Sequence, residues 1–284
     1  MMFISFDWQI SKNYLIALVM VAVCFSPKLI LAQNYPSKPI TIIVPFVAGG
    51  STDVTARAIG QKLSSQLGKP VVVENRAGGG STIGVAHAAK SLADGHTILL
   101  TTISLAINAG LRSKLSYDTL NDLQPVIQIS SLPLVLVINS SLPPKTIQEF
   151  ITYAKENTGK LNYASSGSGT SPHLAGEMFK TITNIQMTHI PYKGGAPAVS
   201  DLVGGQIQMY FGNAAELIPN SRAGKVRLLA VSTNKRAREL PEVPTVAETF
   251  PNFDLSNWVG LLVASATPRV IVERLAQEVS RMVL

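Results

Sequence analysis

The sequence predicts an α/β fold with a mainly parallel sheet and helices on both of its faces. Three observations predict it. Short β-branched runs at 40–44, 71–74 and 97–102 are long enough for buried strands and too short for helices. Segments with apolar residues at helical spacing follow them, as at 54–67. Loops rich in glycine and hydroxyl side chains join strand to helix, and this alternation is typical of parallel sheets.

The first of these units carries the main site prediction. Pro45 ends its strand, and Gly49-Gly50 permits a tight backbone turn before the helix. Three residues with N-cap chemistry follow: Ser51, Thr52 and Asp53. Such a loop presents unpaired backbone N–H groups and the positive end of a helix dipole, so it predicts an anion-binding site. A structural role stays open, because glycine here also serves strand–helix packing and Asp53 also complements the helix dipole.

A second unit follows directly. The strand 71–74 leads into a glycine-rich loop at 75–82, and apolar residues then recur at helical spacing from Ile83 to Leu92. A turn signal precedes the strand 97–102. Ligands of such sheets bind outside the carboxyl ends of the strands, which is where these loops fall.

The pattern changes after residue 124, and a second set of units begins. Two apolar runs, 126–129 and 134–138, lie close together but are broken by polar and proline residues. The third glycine- and hydroxyl-rich loop, 165–173, offers Ser171 as an N-cap and Pro172 as the first helical residue. We predict helices at 146–157, 172–179, 196–203 and from Pro268, and strands at 161–164, 187–191, 206–211, 227–232 and 253–264.

The first segment has the layout of a secretory signal peptide. A lysine precedes an uncharged apolar stretch at 14–25, and a small residue ends the segment. We therefore predict that residues 1–32 are removed on export, that the mature chain begins near Gln33, and that the protein is periplasmic. A membrane anchor and a lipoprotein cleavage box at 21–24 stay open as alternatives, although the apolar span is short for a bilayer. Removal would also take away Cys24, the only cysteine.

Length, composition and charge limit the classes of function. The 284 residues carry a formal net charge of +7 and are 46% hydrophobic, as in a globular protein of one or two domains. The basic residues are scattered, with no basic run longer than 235–238, so we predict no nucleic-acid binding. The charge favours acidic small solutes or a solvated surface.

Catalytic and metal-binding patterns are not evident in the sequence. The loop 78–82 has no lysine before its hydroxyl residue and is not a P-loop, and 167–169 lacks the spacing of a nucleophile elbow. The histidines show no metal-ligand spacing: His87, His96, His173 and His189. We therefore predict no enzyme activity, no metal and no cofactor, with an esterase-like enzyme as an alternative. Three loops rich in glycine and hydroxyl groups at helix starts favour solute capture.

Several ordered motifs resemble those of the extracytoplasmic solute receptors of tripartite tricarboxylate transporters, often called the Bug family. The likeness runs from Tyr35 to Leu284. Its motifs are YPSKPI at 35–40, PF at 45–46, AGGSTD at 48–53, ENR at 74–76, ADG at 93–95, SPHL at 171–174, PYKGG at 191–195, VPT at 243–245 and WVG at 258–260. One departure is Gly212-Asn213, where members often carry Asp.

The resemblance implies a two-lobed type II periplasmic binding protein that closes on a small organic carboxylate. With the strand pattern, it gives lobe I at 33–131, lobe II at 132–254 and a return to lobe I at 255–284. Members continue past this point, so we expect the C-terminal part of lobe I to be truncated. The resemblance implies that the ligand is bound by Phe46, Gly49, Gly50, Ser51, Thr52, Asp53, Ser81, Ser166, Gly167, Ser168, Gly169, Thr170 and Ser171.

The same resemblance implies the partners. The receptor would be a monomer that delivers its carboxylate to the membrane permease subunits of a tripartite tricarboxylate transporter. A receptor that senses carboxylates for a two-component system is the alternative, and the neighbouring genes distinguish the two.

Overall fold

The computed structural model describes residues 35–283, so the predicted signal peptide at 1–32 lies outside the described residues. Strands and helices alternate through the described part. The strands are β1 (Ile40–Val44), β2 (Val71–Asn75), β3 (Thr97–Thr102), β4 (Leu123–Asn139), β5 (Asn162–Ser165), β6 (Thr188–Pro191), β7 (Met209–Asn213), β8 (Val226–Val231) and β9 (Ser256–Ala264). The helices are α1 (Ser51–Leu67), α2 (Thr82–Ala89), α3 (Ser104–Leu111), α4 (Ile147–Glu156), α5 (Ser171–Thr183), α6 (Gly195–Val203), α7 (Ala214–Arg222) and α8 (Arg269–Val283).

The strands form one mixed sheet in the order β2-β1-β3-β9-β4-β7-β5-β6, with β8 also paired to β4. Pairing is parallel toward both ends, where β1 pairs with β2 and β3, and β5 pairs with β6 and β7. The central strands β4 and β9 pair antiparallel with each other and with their neighbours. The expectation of a mainly parallel sheet is therefore wrong for the centre, because β4 and β9 carry the chain between the two ends.

Strand β4 divides the sheet into two parts. The sequence indicated two separate apolar runs here, but the structure has one strand of 17 residues. Leu123 to Pro133 pair with β9, and Leu134 to Asn139 pair with β7 and β8. We call β1, β2, β3, β9 and the first part of β4 the first half-sheet, and the other strands with the later part of β4 the second half-sheet.

Helices cover both faces of the second half-sheet, because alternate residues of β4 face opposite sides. Leu134, Leu136 and Ile138 join a buried cluster with Phe150 of α4 and Phe179 of α5. The residues between them join a second cluster, with α6 and α7 on the other face: Val135, Val137, Ala198, Leu202 and Leu217. The predicted helices on both faces are thus present here.

Helix starts differ from prediction at the two loops of interest, by three residues for α1 and by one residue for α5. Helix α1 begins at Ser51, so its N-cap is Gly50, and α5 begins at Ser171, so its N-cap is Thr170. Neither N-cap makes a side-chain capping hydrogen bond. The hydroxyl residues expected to cap these helices therefore lie in the first turn. Helices α3 and α7 were not predicted at all. Across residues 35–283 no helix combines the length and apolar character needed to span a bilayer.

Candidate functional site

A small cavity lies between the two half-sheets, and the starts of five helices line it. Helices α1, α3, α5, α6 and α7 all contribute residues from their N-caps or first turns. The complete lining is Phe46, Gly50, Ser51, Thr52, Thr102, Ser104, Ser166, Thr170, Ser171, Pro172, Gly195, Asn213, Glu216 and Asn257. No lysine or arginine is among these lining residues.

Sheet topology explains why these helix starts meet. Strands β1, β3, β5, β6 and β7 each run into a helix-forming loop at their carboxyl ends, and parallel pairing brings neighbouring ends to the same edge. Each helix start presents backbone N–H groups and the positive end of its dipole. The cavity therefore favours negative charge without a cationic side chain.

Hydrogen bonds join the two sides of the cavity. The Ser51 backbone N–H donates to Glu216 Oε1 over 2.6 Å, and Asn213 Nδ2 donates to Ser51 Oγ over 2.8 Å. The Val47 N–H donates to the Lys193 carbonyl over 3.1 Å. Val47 and Ser51 follow a strand of the first half-sheet, and their partners belong to the second. Hydrogen bonds thus bridge the cavity from one half to the other.

A chain of side-chain hydrogen bonds runs along one wall of the cavity. Ser171 Oγ donates to Asn257 Oδ1 over 3.1 Å, and Asn257 Nδ2 donates to Asn213 Oδ1 over 3.0 Å. Asn213 continues the chain to Ser51. Side chains from α1, α5, β7 and β9 are therefore fixed relative to one another.

Glu216 is the acidic group in the cavity lining. Its Oε1 accepts from Ser51, whereas its buried Oε2 has no hydrogen-bond partner within the described chain. Burial raises the pKa of Glu216, and the nearby polar groups of Ser51 and Asn213 oppose this only in part. An acceptor oxygen of a carboxyl group is thus left unsatisfied beside the cavity.

Asp53 organises the loop before α1 from behind. Its Oδ2 accepts from the Gly49 N–H and from Arg57 Nε, both over 3.0 Å, and its Oδ1 accepts from Asn75 Nδ2 over 3.0 Å. Burial acts to raise the pKa of Asp53, but these hydrogen bonds and the charge of Arg57 hold it below its ordinary value. Asn75 also donates to the Phe46 carbonyl over 3.0 Å. Asp53 and Asn75 together therefore fix the loop at Phe46 and at Gly49.

The loops of the two half-sheets also touch at the rim. The completely buried Asn108 of α3 donates from Nδ2 to the carbonyls of Gly80 and Ser104 over 2.8 Å, and to Gly169 over 3.2 Å. Arg112 Nη2 donates to the Ser168 carbonyl over 3.2 Å. Helix α3 therefore positions the glycine loops of both halves.

A serine–histidine contact supports the loop before α5. Ser165 Oγ lies 2.6 Å from His189 Nε2, and the Gly167 N–H donates to Ser165 Oγ over 3.1 Å. The rings of His189 and His173 pack with centroids 4.3 Å apart. Burial, together with the neighbouring His173, lowers the pKa of His189 to about 4. The Ser165 side chain is fully buried, so this pair holds the loop from beneath.

The residues predicted from the sequence divide into two groups. Seven line the cavity: Phe46, Gly50, Ser51, Thr52, Ser166, Thr170 and Ser171. Six lie outside the lining: Gly49, Asp53, Gly167, Ser168 and Gly169 are close in sequence to lining residues, whereas Ser81 belongs to the loop 75–82, which contributes no residue to the lining. Among the second group, the buried Ser81 Oγ has no hydrogen-bond partner in the described part of the chain.

Several site residues were missed by sequence reasoning. They are Thr102, Ser104, Pro172, Gly195, Asn213, Glu216 and Asn257 in the lining, with Asn108 behind it. Glu216 and Asn213 are 165 and 162 residues from Ser51 along the chain, so no local pattern could join them. The departure at Gly212-Asn213 was the available signal for this wall. Within residues 35–283 no group of three or more His, Cys, Asp or Glu side chains could hold a metal ion.

Comparison with known proteins agrees with this architecture. Residues 55–283 match the family described as "Tripartite tricarboxylate transporter family receptor". The protein BugT of Bordetella pertussis is 41% identical over 245 residues, which cover 85% of this chain and 75% of that protein.

Three solved structures are similar throughout. The periplasmic binding protein BugD has 33% identity and a TM-score of 0.83, with 86% of this chain and 82% of that chain covered. The R. palustris protein Rpa4515, solved with adipate, has 35% identity and a TM-score of 0.83, covering 86% and 83%. MatC (Rpa3494) from Rhodopseudomonas palustris, solved with malate, has 32% identity and a TM-score of 0.83, covering 87% and 85%. The fold is thus the mixed α/β fold of periplasmic binding proteins.

Proposed function

The chain belongs to the receptor family of tripartite tricarboxylate transporters, and from this premise we propose that it captures a small organic carboxylate in the periplasm for such a transporter. The observation that carries the proposal is the convergence of five helix starts on one closed cavity. Similar proteins were solved with adipate and with malate, which are dicarboxylates. Carboxylate is the ligand chemistry that helix starts and neutral donors favour.

Neutral donors would bind the ligand. The lining offers hydroxyl groups on Ser51, Thr102, Ser104, Thr170 and Ser171, together with the backbone N–H groups of the helix starts. Each neutral hydrogen bond contributes on the order of 1 kcal/mol net. Several of them would offset the dehydration of one carboxylate when the two halves close.

The two half-sheets would act as the two lobes predicted from the sequence, 33–131 with 255–284 and 132–254. The few hydrogen bonds between the two sides would break on opening and form again around the ligand. The closed lobes would then present one surface to the membrane permease subunits, with the receptor acting as a monomer after its signal peptide at 1–32 is removed.

A catalytic role is not favoured by the site. Ser165 and His189 form the serine–histidine contact, but Ser165 is fully buried and already accepts from the Gly167 N–H. A nucleophile must reach its substrate, so we expect no turnover of aryl esters.

A thermal-shift screen of the full chain tests the proposed function. The set contains adipate, L-malate, succinate, citrate, L-aspartate and L-glutamate. A ligand at about 100 times its Kd adds about 2.7 kcal/mol to the free energy of unfolding. For a chain of this size this raises Tm by about 5–10 °C. If no carboxylate in a wide range of lengths raises Tm, carboxylate capture is wrong.

A further inference from the structure

We propose that Glu216 makes this receptor select carboxylates that also carry an ammonium group, such as amino acids. The inference rests on the proposed function, since it names the class of carboxylate that the same cavity would capture. It depends on where the Glu216 carboxyl group lies, on the hydrogen bond that it lacks, and on the charges around it.

The Glu216 carboxyl group lies at the start of α1, where the sequence predicted an anion-binding site. Its Oε1 accepts from the Ser51 N–H at the first residue of α1. It also lies against the first residue of α6, because a Cβ atom on Gly195 would be only 2.4 Å from Oε2. Gly50 is next to it, where a Cβ atom would be 3.5 Å from Oε1. A resident carboxyl group therefore fills the anion position between α1 and α6.

A ligand carboxylate is disfavoured beside this group. When Glu216 is ionised, it and a ligand carboxylate at hydrogen-bond distance repel each other strongly in a site shielded from water. The lining contains no lysine or arginine that could neutralise a second negative charge at this end. The ligand carboxylate is better placed at the other helix starts, where Ser104 begins α3 and Ser171 begins α5.

The unpartnered Oε2 offers an acceptor to a donor group of the ligand. A buried carboxyl oxygen without a hydrogen bond is costly, and the described chain supplies no donor to it. Burial favours the protonated form of this carboxyl group, so a ligand ammonium group competes with that proton: it donates a charge-assisted hydrogen bond to the ionised group and balances its charge. A hydroxyl group can donate a hydrogen bond to Oε2 but cannot balance the charge of the ionised carboxyl group. A methylene group can do neither. The expected order of affinity is therefore amino above hydroxy above unsubstituted acid.

Calorimetric titration with matched ligands tests this order. One set is L-aspartate, L-malate and succinate, which share a carbon skeleton and differ in one substituent. A second set is L-alanine, L-lactate and propionate, and a third is L-glutamate, L-2-hydroxyglutarate and glutarate. In at least one set we expect the amino acid to bind about tenfold or more tightly than the hydroxy acid. This comparison uses the wild-type full chain and needs no variant.

The variant Glu216→Gln tests whether this side chain causes the preference for amino acids over hydroxy acids. Glutamine keeps the shape and can still accept from Ser51, but it removes the charge and turns Oε2 into either a donor or a neutral acceptor. We expect the amino acid to lose its advantage, while the hydroxy acid binds as well as before or more tightly. Glu156→Gln, at an exposed position on α4, is the matched control and should leave the order unchanged.

The outcomes separate this inference from the proposed function. If hydroxy or unsubstituted acids bind as tightly as amino acids, or if the preference persists in Glu216→Gln, the role of Glu216 is wrong while carboxylate capture stands. If no member of any set binds, the proposed function fails and this inference fails with it.

Discussion

At the scale of single residues, Asp53 is the clearest case of a side chain with two competing roles. In the structure it holds the Gly49 N–H, Asn75 and Arg57 at once and does not line the cavity. We expect Asp53→Asn to lower the free energy of unfolding by about 1–3 kcal/mol, because an amide leaves a buried donor unpaired. Urea unfolding at pH 7 measures this.

The pH dependence of the Asp53→Asn effect is a further check. The pKa of Asp53 is lowered in the folded state, so its contribution is present above the unfolded pKa and is lost as the pH falls through the folded pKa. The difference between wild type and variant should therefore shrink below about pH 4. The exposed Glu239→Gln is the control. A difference that is constant with pH would contradict the assignment.

Gly80 limits how closely the two loops can meet. Its φ is +64°, and a Cβ atom there would be 1.9 Å from the Ser168 carbonyl oxygen. We expect Gly80→Ala to weaken ligand binding about tenfold or more, because the halves could no longer close fully. Gly68→Ala is the matched control, since Gly68 has a φ of +66° and no atom within 4 Å of the added Cβ. Equal affinity of the two variants would contradict a role for the close approach of Gly80 to Ser168 in ligand binding.

At the scale of elements, the segments with strong local patterns were predicted well. Strands β1 and β3 begin and end as predicted, and α1 and α5 follow their glycine loops. Helix α7 was missed because Pro219 lies inside it and its sequence is mostly polar or small. Helix α3 is as short as the predicted α2, but it follows β3 after a single residue, so no glycine loop marks its start. Glu216 lies on α7 and Asn108 on α3. Because these two helices were not predicted, one wall of the cavity and the residue that supports its rim were not predicted either.

The site was predicted only as far as local sequence allows. Glycine and hydroxyl loops mark helix starts, and seven residues of the lining came from them. The remaining wall depends on contacts between segments more than a hundred residues apart, such as Ser51 with Asn213 and Glu216. Central antiparallel pairing was missed for a similar reason, because the register of β9 against β4 follows from the tertiary fold and not from either strand alone.

The loop before α5 should be sensitive to acid. Burial, with His173 and Lys180 acting in the same direction and the charge of Glu177 opposing them, lowers the pKa of His189 to about 4. Its contribution is present above the unfolded pKa of about 6.5 and is lost as the pH falls toward 4.

We therefore expect the free energy of unfolding to fall between pH 6.5 and 4 in wild type and to fall less steeply in His189→Asn. His87→Gln removes an exposed histidine and should not change the slope. Chemical denaturation across this range measures the effect. The same slope in His189→Asn and wild type would contradict it.

At the scale of the whole molecule, the proposed carboxylate capture depends on two halves closing around one ligand. Individual hydrogen bonds join the two sides of the cavity: those of Ser51, Val47 and Asn213, those of Asn257, and those from Asn108 and Arg112 at the rim. A few such bonds stabilise a closed form without making it permanent. Gly50 lies at the centre of this contact, where an added Cβ would be 3.8 Å from the backbone nitrogens of Gly195 and Ala196.

The most direct test is a calorimetric titration of wild type and Gly50→Val with the carboxylate that raises Tm most. The branched carbons of valine would lie between the two halves, so we expect one ligand per wild-type chain and affinity lower by about tenfold or more in the variant. Gly110→Val changes an exposed glycine with no atom near its added Cβ and should leave binding unchanged. Undiminished binding by Gly50→Val would contradict capture between the two halves.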